Sequence, residues 1–148
     1  VLADLGVTVV TQPNFVRERG DRYLAEVDDG DRPDLWRCGT LIAAGVPVAA
    51  GTDAPFGRPD PWVAMAAAVE RRTGQGADLG PAERIEPARA LDLFLGPLED
   101  PGGAPRRVGP GAAADLCVLD RPLAAALEDL AAVAVRVTIA QGRIVHAR

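Results

Sequence analysis

The chain has 148 residues, a formal net charge of −5, 48% apolar residues and only 4% aromatics, which is enough for an ordinary globular core. Its basic residues are all arginine and are spread along the chain, which argues against generic nucleic-acid binding. No apolar run is long enough to cross a bilayer and no basic-then-apolar leader pattern is visible, so a cytoplasmic chain is expected.

In chain order, Leu2 and Leu5 with Gly6 read as the last turn of a helix and its cap. The chain opens on Val1 rather than Met, inside that helix end, which reads as a fragment or a truncated reading frame. The run 6–13 is rich in Val and Thr and closes on Pro13, so it reads as a strand. Residues 14–19 read as a loop and 21–27 as a short helix. After a polar connection over 28–33, Asp34 is placed to cap a helix over 35–44, with Leu35, Cys38, Leu41 and Ile42 at helical spacing. Gly45 ends that helix and Val46 opens a buried strand. The helix–glycine–strand rhythm occurs twice, at Leu5-Gly6-Val7 and at Ala44-Gly45-Val46, as in βα units of a parallel sheet.

Asp60-Pro61-Trp62 is a strong helix start, and the helix is expected to run to Arg72. The pair Arg71-Arg72 then reads as its solvated, dipole-favoured end, and Trp62 reads as a packing residue. Residues 73–81 read as a loop. A second helix is expected over 86–95, with Ala90, Leu91, Phe94 and Leu95 as its apolar face. The Pro/Gly-rich stretch 97–105 reads as a linker. A turn and a strand follow around Leu116 to Leu119, then one helical turn within 122–130. A hairpin closes the chain, 133–140 and 143–146 about Gln141-Gly142. Cys38 and Cys117 belong to no metal-binding pair and read as two buried free thiols in a reducing compartment.

The chemistry sits in one stretch. The strand from Val46 ends in Gly51-Thr52-Asp53, and Pro55 stops any continuation. A buried strand thereby hands one carboxylate to the region beyond its C-terminal end, where ligands and catalytic groups gather in parallel α/β sheets. From the local motif alone, Asp53 also reads as a turn aspartate making an Asx-turn before Pro55. Arg37 reads as a surface ion pair and Gln12 as a turn hydrogen bond. His146, the one imidazole, reads as a surface residue of the hairpin.

The order and spacing of these pieces resemble the amidohydrolase superfamily, most closely the C-terminal portion of its amidohydrolase-3 branch. The residues that carry the resemblance are Val7-Thr8-Val9-Val10-Thr11-Gln12-Pro13, Leu35-Trp36-Arg37 through Gly45, Gly51-Thr52-Asp53-Ala54-Pro55, and Asp60-Pro61-Trp62 with Ala68-Val69-Glu70-Arg71-Arg72-Thr73. Gly109-Pro110-Gly111 with Ala114-Asp115-Leu116, and Val137-Thr138 with Gly142-Arg143-Ile144-Val145, complete it.

The resemblance implies an α/β fold: the C-terminal part of a (β/α)₈ TIM-like barrel followed by strands of a small composite β-sandwich. Residues 1–96 would hold barrel strands seven (7–12) and eight (46–52) with their helices. Residues 97–148 would be a linker and sandwich strands. Asp53 would be the catalytic carboxylate ending strand eight and would also face or bind a divalent metal, zinc being the expected ion. It would take a proton from metal-bound water and return it to the leaving nitrogen. The implied substrates are small molecules with non-peptide C–N bonds: amides, imides and ureas. The family's His-x-His, its metal-bridging group and its later histidines have no counterpart here, whereas such sites take roughly three or four protein ligands. The expectation is therefore the tail of a hydrolase, inactive alone, whose partners are a small-molecule substrate and either a second copy or a missing N-terminal part. Neither nucleic acid nor membrane is expected. The alternative is a non-catalytic remnant or a complementing subunit.

Overall fold

In the computed structural model, which describes residues 2–148, the chain begins with turns rather than a helix. Val1, the first residue of the expected helix end, lies outside the described residues. Gly6 sits at φ +64°, its N–H donates to the Ala3 carbonyl, and the Val7 N–H donates to the Leu2 carbonyl. That pair of bonds is the closing pattern of a helix C-terminus, so the glycine cap is present although the residues before it form only a turn.

Strands β1 (Val9–Thr11) and β2 (Val48–Ala50) pair in parallel, with Val9 opposite Val48 and Thr11 opposite Ala50. Parallel neighbours need a long crossover. Here it contains helix α1 (Asn14–Glu26), a 3₁₀ turn at Arg32–Asp34 and helix α2 (Gly39–Ala43). The βα rhythm read from the two glycines is thus the observed connection, with both strands shorter than expected.

Two expectations in this crossover are corrected. Residues 14–19 are helix, not loop: α1 begins at Asn14 and runs unbroken through Gly20. Phe15, Val16 and Gly20 are buried along it. Glycine costs helix about 1 kcal/mol, but here a Cβ would lie 2.6 Å from Thr73 Cγ2, so only glycine permits this approach. The helix expected over 35–44 forms only at Gly39–Ala43, because Trp36 takes φ +53°, a conformation that costs an L-residue too much to continue a helix. Asp34 lies in the 3₁₀ turn rather than at a helix cap, and pairs with Arg37 at 2.9 Å. The start of α2 is met instead by Glu83, whose buried carboxylate accepts from the Thr40 N–H at 2.8 Å and from the Thr40 hydroxyl.

Helix α3 (Pro61–Glu70) starts as expected, with the Asp60 carboxylate accepting from the Trp62 N–H at 2.9 Å. Its buried Trp62, Met65, Ala66 and Ala68 pack with Leu130 and with Ala90 of helix α4 (Pro87–Asp92). Trp62 is therefore a packing residue, as its position in an amphipathic first turn suggested. A smaller cluster of Val46, Val48 and Leu93 sits beneath the parallel strands.

The last third is an antiparallel sheet, β3 (Leu116–Leu119), β4 (Val135–Ala140) and β5 (Arg143–Ala147), in that order. Gln141 at φ 49° and Gly142 at φ 76° make the expected tight hairpin turn. A short helix α5 (Leu123–Glu128) joins β3 to β4, and Leu119, Leu127, Val133 and Val135 rest on the α3 cluster. Both cysteines are free, but only Cys38 is buried; Cys117 is exposed on β3, which corrects its reading as buried. The described residues are thus mixed α/β, with one parallel strand pair and one separate antiparallel sheet. Among the described residues no helix is long and apolar enough to cross a membrane.

Candidate active site

The site is built from the C-terminal ends of the parallel strands. The Gly51 N–H donates to the Thr11 carbonyl at 2.9 Å, which carries the β1–β2 pairing one step past the strand. Asn14, the first residue of α1, is buried, and its side-chain amide donates to the Thr52 carbonyl at 3.1 Å and to Glu18 Oε1 at 3.2 Å. The same Glu18 oxygen accepts from the Arg58 N–H at 3.1 Å. The loop 52–58 is thereby tied at both ends to the first two turns of α1.

Between those ties, the Gly57 N–H donates to the Asp53 carbonyl at 2.9 Å. A Cβ at Gly57 would run into the Thr52 carbonyl oxygen and the Asn14 amide, so the loop closes this tightly only with glycine there. Asp53 is left at φ +55°, a left-handed conformation that Asp tolerates better than most residues. Its side chain is exposed, and among the described residues its carboxylate has no hydrogen-bond or ion-pair partner. The Asx-turn is not made; the residue two positions on is Pro55, which has no N–H to give.

The same loop contributes Phe56 to a corner of aromatic rings. Phe56, 64% exposed, meets Phe15 edge-on, with centroids 5.7 Å apart and planes at 76°. Phe15 also meets Trp36 at 5.2 Å. The Arg19 guanidinium lies over Phe56 at 3.8 Å and over Phe15 at 4.7 Å.

Behind the corner lies Arg71, which is fully buried and so is not the solvated helix end its sequence position suggested. It takes φ 54° immediately after α3, and this turns its side chain inward. Its Nε donates to the Leu79 and Gly80 carbonyls at 3.0 and 3.1 Å, and its two terminal nitrogens to those of Trp36 and Leu35, both at 2.9 Å. Burial pulls the Arg71 guanidinium below its usual pKa, opposed by the nearby Cys38 and Glu83. Burial also pushes the Cys38 thiol up to about 11, which leaves it inert as a nucleophile at neutral pH.

The remaining residues singled out from sequence make other contacts. Arg37 makes its ion pair with Asp34, the Gln12 carbonyl accepts from the Phe15 N–H at 3.2 Å, and His146 is exposed on β5 opposite Thr138. Asn14, Arg19 and Phe56 were missed. The signal for the first two was present: Pro13 pre-sets the φ of a helix start, and Phe15, Arg19 and Tyr23 recur every four residues. Among the described residues no three His, Cys, Asp or Glu side chains group closely enough to hold a metal ion.

Comparison with known proteins places this geometry in context. The family model described as Amidohydrolase family matches residues 2–146. The N-substituted formamide deformylase of Arthrobacter pascens is 30% identical over 124 residues, which cover 81% of this chain and 23% of that enzyme. The chain therefore spans under a quarter of that relative's length. A solved structure of an uncharacterized metal-dependent hydrolase from Pyrococcus furiosus is similar at TM-score 0.48 and 25% identity, over 63% of this chain and 18% of that one.

Proposed function

This chain belongs to the amidohydrolase family, and on that premise we propose that it is the C-terminal portion of a hydrolase of non-peptide C–N bonds, with Asp53 as its catalytic carboxylate. The observation that carries this reading is the presentation of Asp53. An exposed carboxylate, unpartnered among the described residues, stands just beyond the C-terminal end of a parallel strand, on a loop tied down by Asn14 and Gly57. That is where a parallel sheet delivers reactive groups. The pairing of β1 with β2 through a helical crossover supports their reading as barrel strands seven and eight, and the β3–β4–β5 sheet supports the reading of sandwich strands.

In this role the Asp53 carboxylate accepts a proton from the attacking water and returns it to the departing nitrogen, so one water is consumed and an acid and an amine leave. General acid–base groups of this kind contribute roughly 10²- to 10⁴-fold in rate. A divalent ion, zinc included, takes roughly three or four protein ligands. One aspartate does not supply them, and these residues do not fit such an ion on their own. A metal requirement is proposed only for a polypeptide that brings further ligands to Asp53. The similarity to an N-substituted formamide deformylase makes small N-substituted amides the substrates to try first.

The test is hydrolysis of N-substituted formamides by the polypeptide that carries these residues, with and without Asp53→Asn. The variant should lose about 10²-fold or more of kcat and keep its far-UV circular dichroism. Full activity in the variant overturns the role of Asp53, and no hydrolysis by the wild type, either alone or mixed with a histidine-bearing chain, overturns the reading as an enzyme. The second reading, a complementing subunit, is favoured by the single carboxylate and by Val10 of β1 standing half exposed. Activity that appears only on mixing with a separately encoded, histidine-bearing chain would select it.

A further inference from the structure

We propose that Arg19 is a binding residue for a carboxylate group carried by the substrate, with the Phe15–Phe56 corner holding its guanidinium ready. The proposal rests on the reading of Asp53 as the reactive group of the same site. It adds to that reading the chemical class of the substrate: an amide with an anionic, carboxylate-bearing nitrogen substituent.

The argument starts from what a guanidinium needs. Its five N–H donors lie in one plane, and its two faces are weakly hydrated. At Arg19 the central carbon lies 3.8 Å from the Phe56 centroid and 4.7 Å from that of Phe15, in the corner between two rings set at 76° to each other. Such ring contacts attract the cation without supplying an oxygen acceptor for its N–H donors. Among the described residues no oxygen accepts from Arg19 and no carboxylate pairs with it. The side chain is half-buried, so its charge is held in one place without a counter-ion.

This is not a shortage of carboxylates. Helix α1 carries three besides its arginines, and each is engaged elsewhere. Glu18 accepts from Asn14 and from the Arg58 N–H. Asp21 accepts from the Thr73 hydroxyl at 2.5 Å and from the Gln75 N–H at 3.1 Å. Glu26 pairs with Arg22 at 2.7 Å, and the neighbouring Arg17 pairs with Glu70 at 3.4 Å. Arg19 alone of the three arginines inside this helix is turned onto an aromatic platform and left without an anion.

Position supplies the ligand. Phe56 stands three residues after Asp53 inside the turn closed by the Gly57 N–H on the Asp53 carbonyl, and on this proposal a molecule with its scissile bond at Asp53 extends its nitrogen substituent to this corner. A planar oxyanion accepts two parallel N–H bonds from the in-plane edge of a guanidinium, and the exposed face of Phe56 suits an apolar spacer between amide and carboxylate.

Two measurements test this. The first compares 4-(formamidomethyl)benzoate with its methyl ester, two substrates that differ chiefly in charge, in the polypeptide assayed above. The acid should have a kcat/KM about tenfold or more above the ester, in keeping with a charge-assisted bidentate pair. Arg19→Leu should bring that ratio near one, Arg19→Lys should leave it intermediate, and Arg22→Leu should leave it unchanged. Equal processing of acid and ester by the wild type, or a ratio unmoved in Arg19→Leu, overturns the proposal.

The second measurement titrates benzoate into the 148-residue chain while watching arginine Nε–H resonances by NMR, with benzamide as the neutral control. Benzoate should shift the Arg19 signal, and Arg19→Leu should weaken binding about tenfold or more. Should the leucine variant fail to fold, the lysine variant carries the comparison. Benzoate binding that does not involve Arg19, or none at all, overturns the site. Binding through Arg19 with no hydrolysis of either compound removes the hydrolase reading and leaves the anion site standing. Hydrolysis that depends on Asp53 but ignores charge does the reverse.

Discussion

Arg71 and Arg72 are adjacent in sequence and opposite in environment, and replacing each with methionine should show it. Arg71 is fully buried and serves four backbone carbonyls, those of Leu35, Trp36, Leu79 and Gly80. Methionine fills much of the stem's volume but gives none of those bonds. The Leu79 carbonyl, whose bond is buried, loses its partner with no water at hand, at a cost of about 1–3 kcal/mol. The other three are partly accessible and recover some solvation, so about 0.5–1 kcal/mol each is a fair charge. Against this, the guanidinium no longer has to be desolvated, the same burial that pushes its pKa down. The balance is a loss of about 3 kcal/mol for Arg71→Met. Arg72 is exposed and meets Asp78 only at 3.8 Å, so Arg72→Met should stay within about 0.5 kcal/mol of wild type. Guanidinium unfolding curves of the two variants, taken side by side, make the comparison. Equal midpoints would refute the view that Arg71 clamps the segment around Trp36 to the segment around Leu79.

Three further outcomes follow from single contacts. Gly20→Ala should cost about 1–3 kcal/mol, since the new Cβ meets Thr73 Cγ2 at 2.6 Å. Adding Thr73→Ser, which removes that methyl but keeps the hydroxyl on Asp21, should restore part of the loss in the same unfolding assay. Cys38 is pushed from 9.0 to about 11 by burial, so its folded pKa lies above the unfolded one. The stability it contributes is whole below pH 9 and lost as pH rises toward 11, by roughly 2–3 kcal/mol. Urea midpoints across that window should fall more steeply for wild type than for Cys38→Ala. Asp120 is held at about 2, first by its hydrogen bond from Arg121 and then by the Ala134 N–H. Its contribution is present above the ordinary carboxylate value and lost as pH falls toward 2. An NMR titration of its carboxyl carbon should show the low value in wild type and a rise in Arg121→Ala.

Local chemistry alone determined a good part of this protein. Gly6 and Gly45 mark turns with positive φ, Asp60-Pro61 starts a helix, and Gln141-Gly142 closes a hairpin. Each is a matter of a few neighbouring residues and their allowed dihedrals, so each was legible from the chain. The order of these signals was also enough to bring out the resemblance to the amidohydrolases and to single out Asp53. Tertiary structure decided what depends on residues distant in sequence. Residues 14–19 read as a loop but are helix, and the glycine at 20 is explained only by Thr73, which presses on it from far along the chain. Trp36 interrupts a helical pattern because a buried Arg71 holds its carbonyl from 35 residues away. Arg71 looks like one half of a solvated pair until its left-handed backbone turns it inward. The candidate site follows the same division: its carboxylate lies on one strand end, but the amide that anchors the loop and the arginine over Phe56 come from α1. The four-residue spacing of Phe15 and Arg19 puts them on one face of α1, but only tertiary packing brings that face to the loop that carries Phe56.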